Sequence, residues 1–181
     1  MSNAGPDVAS RLKGRPDQGR EREPDEIMAS RIAGVQILRI PGYHDHRGSM
    51  YPLVFHPPFW TEPVVHGYIF TIRAGRIKGW GMHRRQADRY FSVSGSLRTA
   101  LYDDREDSPD RGNVCEFYFT PESPGLLYIP PGVWHATQNW GSDLGRILNF
   151  PTAVFDPAEP DKERLEPETP RIPFDWRLKD S

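Results

Sequence analysis

The sequence predicts an all-β fold, a sandwich or jelly-roll barrel of about ten short strands. Three observations carry that prediction. Apolar and polar residues alternate in short runs at regular spacing, as half-buried strands require. Nineteen prolines and sixteen glycines punctuate the 181 residues. The chain is also 12% aromatic, and helix start and stop signals are few.

The elements follow in order. Residues 1–26 carry many charges and almost no large apolar side chains, and read as a disordered tail ahead of a single domain over 27–181. Val35–Ile40 and Met50–Phe55 read as strands around a polar loop, followed by a loop with aromatic plugs, "HPPFWTEP". "VVHGYIFTIRAGRIKGWGMH" holds two strands separated by a turn at Ala74-Gly75. Tyr90–Val93, a Ser-Gly-Ser turn at 94–96 and Leu97–Tyr102 read as a hairpin. Three or four more strands fit between Val114 and Phe150, broken at Pro124-Gly125, Pro130-Pro131-Gly132 and Gly141-Ser142. The remainder is too proline-rich for a long helix, with room for one short helical turn between Pro157 and Arg164.

Composition narrows the partners. A formal net charge of -2 gives nucleic acid and anionic membranes no electrostatic footing. No apolar run reaches the roughly eighteen residues of a membrane span, and no signal-peptide pattern opens the chain. The single cysteine, Cys115, excludes an internal disulfide framework and fits a reducing, cytoplasmic setting.

Two histidines stand where chemistry can occur. In "PGLLYIPPGVWHATQN" a Pro-Pro-Gly turn launches a strand whose alternation puts His135, Thr137 and Asn139 on one face. In "KGWGMHRRQADRYFSV" His83 and Arg85 share a face in the same way. Two histidines at strand ends can therefore face one cavity. His44, His46 and His56 lie in loops and read as solvated.

These segments, Gly79–Gly95 and "P-x-G-x-x-H-x-x-x-N" from Pro130 to Asn139, resemble the two cupin motifs. "DHRG" at 45–48, "LYDDREDSPDRGN" at 101–113, "YIPPGVWHA" at 128–136 and "IPFDW" at 172–176 resemble, in order, the dTDP-4-dehydrorhamnose 3,5-epimerase family. The wording around Lys78-Gly79-Trp80 and Tyr102–Arg105 is similar to an epimerase-like side branch of it. The resemblance implies a cupin jelly roll (double-stranded β-helix) acting as a homodimer, without metal or other cofactor, on a nucleotide-linked 4-keto-6-deoxysugar. His83 would then remove the proton alpha to the ketone. Glu168 would orient it, with Glu166 and Asp175 as alternatives. Arg47, Trp80, Arg85, His135 and Asn139 would hold the substrate.

The chain departs from the family at three places. Trp80 stands in the slot of an arginine, Asp88-Arg89 in that of a lysine, and Leu148-Asn149 in that of the tyrosine that acts as acid. Without that acid, epimerisation at one carbon or keto-isomerisation suits the chain better than double epimerisation. Two other readings stay open: a non-catalytic ligand-binding cupin, and a metal-dependent cupin using His66, His83 and His135. Trp80 and Trp134 read as core or as stacking surfaces for a base or sugar.

Overall fold

A computed structural model of the chain describes residues 26–53 and 62–178, with the side chains of 26–29 outside that description. Among the described residues there are thirteen strands and no helix. Of the expected tail, residues 1–25 lie outside the described residues, and Glu26 already opens the first strand.

One sheet has six strands: β1 (Glu26–Ala29), β2 (Gln36–Arg39), β5 (Tyr68–Ile72), β7 (Asp88–Ser94), β10 (Gly125–Ile129) and β12 (Gly145–Asn149). Its spatial order is β1-β2-β10-β7-β12-β5. The other has five: β6 (Ile77–His83), β8 (Leu97–Asp103), β9 (Val114–Phe119), β11 (Val133–Asn139) and β13 (Lys162–Arg164), in the order β13-β6-β11-β8-β9. All pairings are antiparallel. A separate hairpin joins β3 (Tyr43–Asp45) to β4 (Gly48–Met50).

The two sheets close over a core to which both contribute. Ile37, Ile72, Leu127, Ile129 and Ile147 from the first meet Leu97, Leu101, Phe119 and Val133 from the second. A second cluster lies on the outer face of the five-stranded sheet, where Trp80, Trp134 and Ala136 are covered by Ile172, Phe174 and Trp176 of the C-terminal segment. Both faces of that sheet are therefore buried, which explains why β8 is buried almost throughout rather than alternating between buried and exposed positions.

The structure corrects the hairpin expected at 90–102. β7 and β8 are strands, but they lie in different sheets, and the turn between them crosses the edge of the sandwich. Alternation identifies a strand without naming its partner. Gly95 makes the crossing possible: its φ is +88°, and a Cβ there would come 2.6 Å from the Cα of Gly145. The strand expected over Met50–Phe55 instead ends at Met50; 51–53 are not strand, and 54–55 lie outside the described residues. No helical turn forms over 157–164; its last three residues are β13, paired to β6.

Candidate active site

β6 does not keep a strict alternation. His135 pairs with Gly81 but Thr137 pairs with Lys78, so a bulge sits at Gly79-Trp80. The extra residue resets the phase of the strand. Lys78, Gly81 and His83 turn to the interior side, while Ile77, Trp80 and Met82 pack outside.

At one end of the barrel, two rows of polar side chains face each other. The first sheet supplies Tyr68 (β5), Asn149 (β12) and Asp88 (β7) from adjacent strands, with Asn149 directly opposite Tyr68 in the ladder. The second sheet supplies Lys162 (β13), His83 (β6) and His135 (β11), with Lys162 directly opposite His83. Asp88 and His83 are adjacent because the short segment 84–87 carries the chain from one sheet to the other.

Asp88 is buried and meets both histidines. Its Oδ2 lies 3.3 Å from Nε2 of His135 and 3.6 Å from Nε2 of His83. Its Oδ1 accepts hydrogen bonds from Gln86 Nε2 at 3.0 Å and Asn149 Nδ2 at 2.9 Å. Burial would raise its pKa, but the two imidazoles and the Asn149 amide outweigh burial and hold it well below the usual carboxylate range. Asp88 is therefore a fixed negative charge.

The network assigns the ring protons. Gln86 Nε2 can only donate, so its 3.3 Å contact makes His83 Nε2 the acceptor. The proton of neutral His83 then sits on Nδ1, 3.6 Å from Asp161 Oδ2. Asp161 is itself held by the backbone N–H groups of Arg85 and Gln86. His135 donates Nδ1–H to the Val133 carbonyl at 3.2 Å, leaving its Nε2 toward Asp88. The two rings lie 6.2 Å apart and nearly parallel. Burial lowers the pKa of His83; the carboxylates of Asp88 and Asp161 pull it up, while Lys162 and His135 push it down. The net effect is a neutral imidazole whose conjugate acid has a carboxylate near each nitrogen, the arrangement of a general base.

This end opens into a cavity of about 470 Å³ lined by His66, Tyr68, His83, Arg85, Asp161 and Lys162. Its lip is apolar, with Val154 and Phe155 65% and 66% exposed. A smaller cavity of about 190 Å³ continues past Tyr68, Tyr90, His135, Lys78 and Lys162. A wider groove of about 720 Å³ runs along Cys115, Arg98 and Phe174, away from the histidines. Arg98 there is engaged by Glu116 and the carbonyls of Asp175 and Trp176.

The site brings some expected residues together and leaves others apart. His83 and His135 share the site, and Arg85 stands at its mouth, paired with Glu159 and Asp161. Glu168 and Glu166 are exposed in the loop after β13. Asp175 pairs with Arg177, and the carboxylates beside His83 are Asp88 and Asp161. Trp80 is buried on the opposite face of β6, donating its indole N–H to the Pro167 carbonyl. Asn139 is a latch at the far end of β11: its amide donates to the Ile72 and Asp143 carbonyls and accepts from the Gly141 N–H. Arg47 is 77% exposed and pairs with Asp45 within the β3–β4 hairpin. His66 lines the larger cavity and stacks on Tyr68. Among the described residues no group of three or more His, Cys, Asp or Glu side chains is arranged to hold a metal ion.

Sequence reasoning missed Asp88, Asp161, Lys162 and Tyr68. One signal for Asp88 was available: it opens the strand that follows His83 and shares the inward phase of Tyr90 and Ser92.

A double-sheet jelly roll with an inward histidine pair at one end is a cupin. Comparisons with known proteins place it further. The chain is 31% identical over 145 residues to the spore coat polysaccharide biosynthesis protein SpsL of Bacillus subtilis, covering 80% of this chain and 96% of that protein. It is 33% identical over 150 residues to Agl13 of Haloferax volcanii, named a probable low-salt glycan biosynthesis epimerase, covering 80% and 94%. The crystal structure of a dTDP sugar isomerase from Desulfovibrio desulfuricans superposes with a TM-score of 0.76 at 24% identity, covering 84% of this chain and 97% of that one. No family model matches the chain. The chain belongs to the RmlC-like family of sugar-nucleotide epimerases and isomerases, as a divergent member.

Proposed function

We propose that the protein is an epimerase or isomerase of a dTDP-linked 4-keto-6-deoxysugar that works by removing the proton alpha to the ketone. The observation that carries this reading is the buried His83, neutral and backed by the fixed charge of Asp88. A ketone acidifies the neighbouring C–H bond, and an imidazole of near-neutral pKa is a matched base. As the His83 imidazole becomes an imidazolium, Asp88 Oδ2 at 3.6 Å balances the new charge. The electron pair of the broken bond moves to the ketone oxygen.

The surroundings suit such a substrate. Lys78, Lys162 and Arg164 line the inner cavity and supply positive charge for a diphosphate and for the enolate oxygen. The exposed Val154 and Phe155 form a hydrophobic lip that fits a nucleobase face or a deoxysugar methyl group. The relatives named for epimerisation and sugar isomerisation support the same substrate class.

The test is exchange in deuterated solvent. The wild-type protein should introduce deuterium into dTDP-4-keto-6-deoxyglucose next to the carbonyl, and His83→Asn should slow this by about 10²–10⁴-fold. Failure of the wild-type protein to exchange any such sugar would remove the proposal.

A further inference from the structure

A base alone does not invert a carbon: the proton must return to the face opposite the one it left. His83 stands on the second sheet. A donor for inversion has to stand across the cavity from it, where the first sheet forms a wall. On that wall Tyr68, from β5, lines both parts of the cavity.

Its hydrogen bonding leaves its proton available. Asn149 Oδ1 accepts from the backbone N–H of Arg89 at 3.0 Å, which fixes the orientation of the amide. Asn149 Nδ2 must then donate, and it does so to Asp88 Oδ1 and to the Tyr68 hydroxyl oxygen, each at 2.9 Å. The phenol oxygen is thus an acceptor in that bond, and its own O–H has no acceptor among the described residues. Burial, then the charge of Asp88, raises the pKa of Tyr68, so the group stays protonated at neutral pH.

We infer that Tyr68 is the proton donor of this enzyme, placed on the wall opposite His83 and held in position by Asn149, which makes the reaction an inversion at one carbon. This rests on the reading proposed above. The C–H bond breaks, its proton goes to His83 and its electron pair forms the enolate. A new C–H bond then forms on the other face with the Tyr68 proton, and the enolate collapses to the ketone. Tyrosinate and imidazolium remain, and solvent at the cavity mouth carries one proton from the second to the first. No oxidant or further reactant is consumed.

The test compares Tyr68→Phe with the wild-type protein on dTDP-4-keto-6-deoxyglucose in deuterated water. Inverted product and deuterium incorporation are followed separately by NMR. The wild-type protein should show both. Tyr68→Phe should lose inverted product by about 10²-fold or more, yet still exchange the substrate hydrogen with retention within a few fold, because His83 is intact. Its affinity for dTDP should be unchanged, since only a hydroxyl is removed. Inversion at the wild-type rate in the variant overturns the assignment. So does parallel loss of inversion and exchange, or exchange without inversion in the wild-type protein. Absence of exchange in the wild-type protein instead overturns the proposed function itself.

Discussion

Lys162 is the cross-strand neighbour of His83, and its side chain passes over Gly81 into the space between the two sheets. Its ammonium is close enough to push the His83 pKa down, and is itself lowered by burial while Asp88 draws it up. The base is therefore tuned from β13, a three-residue strand far along the chain.

Proton abstraction needs neutral His83, so kcat/KM should fall on the acid side with a limb below the ordinary histidine value of 6.5. The groups facing the ring are Asp88, Asp161, Lys162 and His135. Of the cations, Lys162 can be removed without emptying a hydrogen-bonded position. Lys162→Met should shift the acid limb to higher pH, which a pH–rate profile measures; an unmoved limb contradicts the coupling.

Gly81→Ala should act through the same side chain. A Cβ at position 81 would come 2.6 Å from Lys162 Cε, the mobile end of a long side chain. The lysine should swing aside at a cost of about 1 kcal/mol. The acid limb should then move upward as in Lys162→Met, with only a small change in melting temperature.

Asp88→Asn separates charge from hydrogen bonding. The amide oxygen still accepts from Gln86 and Asn149, and the new N–H₂ can donate to the imidazole Nε2 atoms that now face a carboxylate. Thermal stability at neutral pH should fall modestly, because the fold favours the ionised carboxylate. Activity should fall by about 10²–10⁴-fold, because the imidazolium loses its counter-charge. A variant that keeps its rate would show that Asp88 serves structure alone.

Asn139→Ala should show the reverse profile. The side chain serves two carbonyls and one N–H that join the turns at one end of the barrel. Leaving them unpaired should cost about 2–4 kcal/mol, read from chemical denaturation, with kcat unchanged.

Acid should destabilise the fold through two groups. His83 has a lowered pKa when folded, so below about 6.5 the unfolded chain binds more protons and stability declines as pH falls. Asp88 has a depressed pKa, so its contribution is present above its unfolded value of 3.8 and is lost as pH drops toward the folded one. Denaturation midpoints measured from pH 8 to pH 2 should hold near pH 8, decrease below about 6.5 and decrease further below 3.8. In His83→Asn the decrease between pH 7 and pH 5 should be smaller.

The strands from Tyr68 to Asn149 were legible because alternation and Pro/Gly punctuation are local signals. The same signals placed His135, Thr137 and Asn139 on one face, but could not show that four residues along a strand carry Asn139 away from the histidine to the opposite end. Trp80 misled for a related reason. The bulge beside it resets the phase of β6, and no feature of the sequence marks where a strand gains an extra residue.

By itself, then, the sequence determined the all-β class, the inward histidines and the resemblance to a sugar-nucleotide family, since each rests on neighbouring residues or on motif wording. Which groups complete those histidines was decided only by the tertiary structure. Asp88 meets His83 across two sheets, Lys162 reaches it from a strand 79 residues away, and Tyr68 shares Asp88's amide donor from a third strand. Sheet order sets those distances, and sheet order is fixed by how the two layers bury their faces together, a property of the whole chain.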